Sequence, residues 1–105
     1  MQAVLFDMDG VLYNSEEPIE GARETIAWVR ERRIPHLFVT NTTSRGRDAL
    51  VEKLARFGIG GSADEILTPC VAASQWLKAR NAADVALFLR PAARAEFSGL
   101  RLVPD

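Results

Sequence analysis

The segment Val4-Leu5-Phe6-Asp7-Met8-Asp9-Gly10 constrains this chain more than any other, because an apolar strand runs straight into two carboxylates and a turn glycine. Ala3 to Phe6 is apolar at every position, the pattern of a strand covered by helices on both faces of a parallel sheet. Asp7 and Asp9 lie two residues apart, so on an extended chain their side chains point the same way, roughly 7 Å apart, with Met8 opposite. Two like charges at the end of an apolar strand repel each other and lose hydration. A divalent cation removes both costs, and Mg²⁺ commonly uses one or two carboxylates together with waters and a substrate phosphate.

The rest of the chain alternates helical and extended patterns. Gly10 to Glu17 reads as a polar loop or small hairpin, followed by Pro18 on the approach to a helix. Ala22, Ile26 and Val29 give one apolar face to a helix over about 20–32, ended by Pro35. His36 to Thr40 is a short β-favouring run that passes into the polar Asn41-Thr42-Thr43-Ser44. Leu50, Leu54 and Phe57 mark a second helix over about 47–57, with Gly58 as its stop. A strand near 65–68, a helix over 69–80, an apolar run at 85–89, a short helix at 91–97 and a strand at 100–103 complete the pattern. Strands alternating with helices predict βαβ units and a mainly parallel sheet. In such sheets ligands bind beyond the carboxyl ends of the strands, where Asp7, Asp9 and Thr40 fall.

Composition narrows the function classes. With 13 basic and 14 acidic side chains the formal charge is -1, which argues against a general nucleic-acid binder. No stretch approaches the roughly 20 apolar residues of a membrane span, and no basic, apolar and small-residue leader follows Met1, so no membrane role and a cytoplasmic location are expected. The single cysteine, Cys70, excludes an internal disulfide and agrees with a reducing compartment. His36 has no second histidine to share a metal with, and Trp28 and Trp76 are expected to be packing residues.

A nucleophile, a proton donor and a hydroxyl at adjacent strand ends suit a tetrahedral, oxygen-rich group, and phosphate is the natural candidate. Asp7 can attack phosphorus, dividing one difficult hydrolysis into two easier steps. Asp9 can protonate the leaving oxygen and later activate water.

Asp7-Met8-Asp9-Gly10-Val11-Leu12 resembles the first motif of the haloacid dehalogenase-like phosphatases, and Phe38-Val39-Thr40-Asn41 resembles their second. The resemblance implies a Rossmann-like, doubly wound α/β core. It also implies Asp7 as nucleophile, Asp9 as general acid and base, and Thr40 as the hydroxyl that hydrogen-bonds the phosphoryl group. Backbone N–H groups near Met8, Asp9 and Asn41 would help to hold the phosphoryl oxygens. Mg²⁺ would sit on the Asp7 carboxylate and the Asp9 backbone carbonyl. The span from Asp7 to Thr40 has no room for an inserted cap domain, which points to the subfamily whose cap follows the second motif. Leu67-Thr68-Pro69, Trp76-Leu77, Leu87-Phe88-Leu89 and Arg94-Ala95-Glu96-Phe97 look most like the phospholysine phosphohistidine inorganic pyrophosphate phosphatase branch.

The family's third-motif lysine and fourth-motif acidic cluster cannot be placed. Lys53 and Lys78 are the only lysines, each within an amphipathic helix. The chain therefore reads as an N-terminal portion, with residues 1–82 as the first part of the core and 83–105 as the opening of an α/β cap. The implied function is Mg²⁺-dependent hydrolysis of a small phosphorylated substrate (phosphomonoester, phosphoramidate or pyrophosphate), absent or nearly so in this portion alone. A homodimer through the cap is compatible with this reading. The rival readings are a noncatalytic phosphate- or metal-binding module and a half-domain that needs a partner chain.

Overall fold

The computed structural model describes residues 2–104. In chain order these form β1 (Val4–Asp7), β2 (Tyr13–Asn14), β3 (Glu17–Pro18), α1 (Ala22–Glu31), β4 (His36–Val39), α2 (Arg47–Arg56), β5 (Ile66–Leu67), α3 (Pro69–Ala79), β6 (Val85–Ala86) and β7 (Leu102–Val103). Single 3₁₀ segments occupy Ala63–Glu65 and Pro91–Phe97.

The expected parallel sheet is present, with strands in the order β1-β4-β5. Val4 pairs with His36 and Asp7 with Val39, while Phe38 pairs with Ile66. The strand alternation therefore ends β1 and β4 level with each other, which places Asp7 beside the start of the polar run at Thr40. β4 is the middle strand, and its Phe38 is 1 % exposed. β1 is an edge strand, and the face that carries Leu5 is uncovered, which corrects the expectation of a strand buried on both faces: Leu5 is 68 % exposed. An edge strand with an apolar exposed face is a natural pairing surface.

One core gathers Met8 and Leu12 from the loop after β1, Tyr13 from β2, Ile26 from α1, Phe38 from β4 and Leu50 and Leu54 from α2. Fully burying side chains of this size stabilises by about 1.5–3 kcal/mol each. Helix ends are specified locally. Thr68 Oγ1 accepts the Val71 N–H at 3.1 Å, and Pro69 occupies the first turn of α3, where a missing N–H costs nothing. Gly58 ends α2 as the sequence suggests: its φ is +80°, and a Cβ there would lie 2.7 Å from Arg23 Cδ.

The C-terminal stretch builds a second, smaller core. Leu87, Ala93 and Phe97 pack with Cys70 of α3, and β6 pairs parallel with β7 in a two-stranded sheet separate from the first. The apolar run at 85–89 is thus a strand over two residues only, and the short helix at 91–97 is a 3₁₀ segment. Pro18, expected at a helix approach, instead pairs with Tyr13 in the β2–β3 hairpin. Trp28 and Trp76 are surface residues, 42 % and 55 % exposed, rather than packing residues. Each lies under a guanidinium one helical turn on, Arg32 at 4.3 Å and Arg80 at 3.9 Å from the ring centroid. Among the described residues no helix is long and apolar enough to cross a membrane.

Candidate active site

The chain turns sharply where β1 ends. Met8 inserts into the core with no exposed surface, and its carbonyl accepts the N–H groups of Val11 and Leu12 at 3.2 and 2.8 Å. Asp7 Oδ1 accepts the Met8 N–H at 2.8 Å, which fixes the carboxylate at the strand end. Gly10, at φ +88°, donates its N–H to the Tyr13 carbonyl at 2.7 Å and closes the loop. Because Met8 is anchored inward, Asp7 and Asp9 on either side of it emerge on the surface, as the two-residue spacing predicts.

β4 delivers the other half. Beyond Val39 the Thr40 N–H donates to the Leu67 carbonyl at 3.2 Å, and Thr40 Oγ1 accepts the Thr42 N–H at 3.3 Å. Asp7, Asp9, Thr40 and Asn41 consequently line one open cleft of about 500 Å³ at the carboxyl ends of β1 and β4. Of the sequence-selected residues only Met8 presents no side chain there; its role is to anchor the loop. The cleft presents one hydroxyl and two carboxylates, so an oxyanion would need a cation beside it to offset their charge.

A second cavity of about 340 Å³ adjoins on the Asp9 side, sharing Asp9, Thr40 and Asn41 and adding Tyr13, Arg45 and Lys53. Asp9 Oδ1 accepts the Ser15 N–H at 3.3 Å, so the β2–β3 hairpin forms one wall. Burial pushes the Tyr13 hydroxyl above its ordinary value, and the carboxylates of Asp9, Asp7 and Glu16 push it further, against the opposing charge of Arg45. Lys53 is only 5 % exposed, and its Nζ stands 4.3 Å from the Tyr13 ring centroid. The sequence hint was present: Lys53 lies three residues after Leu50, a charge on the apolar face of α2.

Arg47 does not face the clefts. Its backbone N–H and Nε donate to Glu96 at 2.8 and 2.9 Å, and this carboxylate is 8 % exposed. His36 pairs with Glu65 Oε2 at 2.6 Å and belongs to an ion-pair cluster with Arg30. Burial and the charge of Glu96 raise the Cys70 thiol above its ordinary value, in keeping with an inert packing residue.

Among the described residues no cluster of three or more His, Cys, Asp or Glu side chains could encage a metal ion. The exposed Asp7 and Asp9 nonetheless offer hard oxygens to the same cleft. That sparse donor set suits Mg²⁺, which keeps several waters and accepts substrate oxygens.

A family model of haloacid dehalogenase-like hydrolases matches residues 4–102. An acid sugar phosphatase of Staphylococcus saprophyticus is 36% identical over 76 residues, which is 72% of this chain and 29% of the relative. The 5'-nucleotidase YutF of Bacillus subtilis is 38% identical over 71 residues, 68% of this chain and 28% of that protein. Among solved structures, a Pyrococcus horikoshii protein superposes with a TM-score of 0.90 at 31% identity, over 99% of this chain and 41% of its own. A p-nitrophenyl phosphatase from Archaeoglobus fulgidus does so at 0.86 and 28% identity, over 97% and 40%. The chain thus spans under a third of the curated relatives' length, and it belongs to the haloacid dehalogenase-like hydrolases, in the subfamily whose cap follows the second motif.

Proposed function

We propose that this chain carries the nucleophile half of a Mg²⁺-dependent phosphatase for small phosphorylated substrates. The observation that carries the reading is the meeting of Asp7, Asp9, Thr40 and Asn41 in one cleft at two parallel strand ends. An Asp7 carboxylate oxygen attacks phosphorus while the bond to the leaving oxygen breaks, and Asp9 gives that oxygen its proton. Asp9 then takes a proton from water, which attacks the aspartyl phosphate and releases inorganic phosphate and free Asp7. The Thr40 hydroxyl and the Asn41 backbone N–H hold phosphoryl oxygens throughout. The Asp7 carboxylate and the Asp9 backbone carbonyl would hold Mg²⁺, which would supply neutralisation of the phosphoryl charge. Phosphatase names among the relatives support this substrate class.

The core is assigned to 1–82 and the cap opening to 83–105, and the small second core spans that boundary, with Cys70 and Leu77 of α3 packed against Leu87, Ala93 and Phe97. The exposed apolar side chain of Leu5 on the edge strand β1 favours the view that these 105 residues turn over little substrate by themselves and need further structure against β1. The test joins this chain to the remaining core and cap of a relative. Asp7→Asn should abolish both p-nitrophenyl phosphate turnover and trapping by beryllofluoride, and near-normal activity would refute the nucleophile. Asp9→Asn should slow poor leaving groups more than good ones; equal slowing would remove its acid role.

A further inference from the structure

Among the described residues Lys53 is a buried charged residue that the reaction above does not use. Its side chain is 6 % exposed, yet the nearest carboxylate oxygen, Glu16 Oε1, stands 3.7 Å away, outside hydrogen-bonding range. That carboxylate is itself 67 % exposed and shared with Arg56 at 3.9 Å. The Tyr13 ring covers one side of the ammonium. Withdrawing an ammonium from water without hydrogen bonds is costly, and this one is not sealed in. Among the described residues Ser74 Oγ is the only fully enclosed side-chain polar atom without a partner, so Nζ opens to the cavity that Lys53 lines.

The two cavities divide the site. Asp7 lines the one without Lys53; Asp9 lines both. With Asp7 on the phosphorus side and Asp9 on the leaving-group side, Lys53 and the neighbouring Arg45 face what lies beyond the phosphoryl group. We infer that Lys53 is a specificity-determining residue: it receives a second anionic group of the substrate, carried on the leaving-group side, and Glu16 stands in for that group when the cavity holds no ligand. This rests on the phosphatase reading of the cleft.

The test measures binding of two probes, inorganic phosphate and methylenebisphosphonate, to this chain joined to the remaining core and cap of a relative, by NMR titration with Mg²⁺ in constant excess. Bisphosphonate should bind the wild type more tightly than phosphate does. Lys53→Met should weaken bisphosphonate about tenfold, the effect of one charge-assisted contact, and leave phosphate unchanged. Lys53→Arg should restore most of that affinity, and Glu16→Gln, which removes the competing carboxylate, should tighten bisphosphonate. A folded Lys53→Met that binds both probes as the wild type does, or loses both equally, overturns the inference, as does a wild type that prefers neither probe. A wild type that binds no phosphate at all overturns the phosphatase reading itself, and the inference with it.

Discussion

Replacing Glu96 tests whether the C-terminal stretch supports the loop between β4 and α2, residues 40–46. Its carboxylate accepts the Arg47 backbone N–H at 2.8 Å and Nε at 2.9 Å, a two-point contact that joins the Pro91–Phe97 segment to the first residue of α2. Glu96→Ala removes both charge-assisted bonds. It strands an N–H at a helix start, where the backbone has no intrahelical partner, and leaves the guanidinium with the Ala63 carbonyl at 3.4 Å. Hydrogen bonds to charged groups contribute about 1.5–3 kcal/mol, and breaking a buried pair from one side costs about 3–5 kcal/mol. Arg47 is 29 % exposed, so water recovers part of that loss. A destabilisation of about 2–3 kcal/mol follows. Glu96→Gln keeps the volume and an acceptor for the backbone N–H, and should cost about 1 kcal/mol. Urea unfolding followed by circular dichroism reads both, and the cycle with Arg47→Ala should give a coupling of about 1–2 kcal/mol. A loss below about 0.5 kcal/mol for Glu96→Ala would refute the reasoning. So would unchanged amide-exchange protection of residues 41–46 in that variant.

Tyr13 is the only tyrosine, so its phenolate absorbance reports this site alone. Because burial and then Asp9 raise its pKa, with Asp7 and Glu16 adding to the effect, Mg²⁺ in the cleft should lower the titration midpoint and a chelator should restore it; a midpoint indifferent to Mg²⁺ would count against cation binding between those carboxylates. Burial opposes ionisation of Glu65, but the Ser62 N–H, Arg30 and His36 outweigh it and hold the carboxyl below its ordinary value of 4.5. The resulting stability is present above that value and drains away as pH falls through the lowered one, and Glu65→Gln should flatten this acid limb in urea titrations. Gly46→Ala places a Cβ 3.1 Å from the Ala92 carbonyl oxygen; it should destabilise by about 1 kcal/mol and loosen the same clasp that Glu96 forms, visible as a lower thermal midpoint.

The cleft was legible because its residues are specified by period and by strand ends. A spacing of two sends Asp7 and Asp9 to one side whatever the details of the loop, once Met8 is apolar enough to anchor inward. A β-favouring run that turns polar at Thr40 can hardly end elsewhere in a parallel sheet. The helices were readable to within a residue or two for the same reason: Ile26 with Val29, and Leu50 with Leu54, repeat at helical spacing. The tryptophans show a local rule passed over, since Arg32 and Arg80 each follow a tryptophan by four residues, the distance that stacks side chains on a helix.

What stayed hidden depends on partners distant in sequence. Glu96 and Arg47 are 49 residues apart, and nothing in either neighbourhood announces the other. The apolar run at 3–6 looked doubly buried because hydrophobicity does not say which sheet face another element covers; the face that carries Leu5 is left uncovered. Lys53 joins the two cases. Its position on the apolar face of α2 was visible, but the hairpin folding Tyr13 and Glu16 back over that face turns a misplaced charge into a cavity wall. A lysine placed there only to pack would gain from replacement by an apolar side chain of similar length, since buried ion pairs are often no better than hydrophobic substitutes. Stability and anion affinity should therefore move in opposite directions in Lys53→Met, and a variant that lost both together would show that the ammonium holds the hairpin instead of awaiting a ligand.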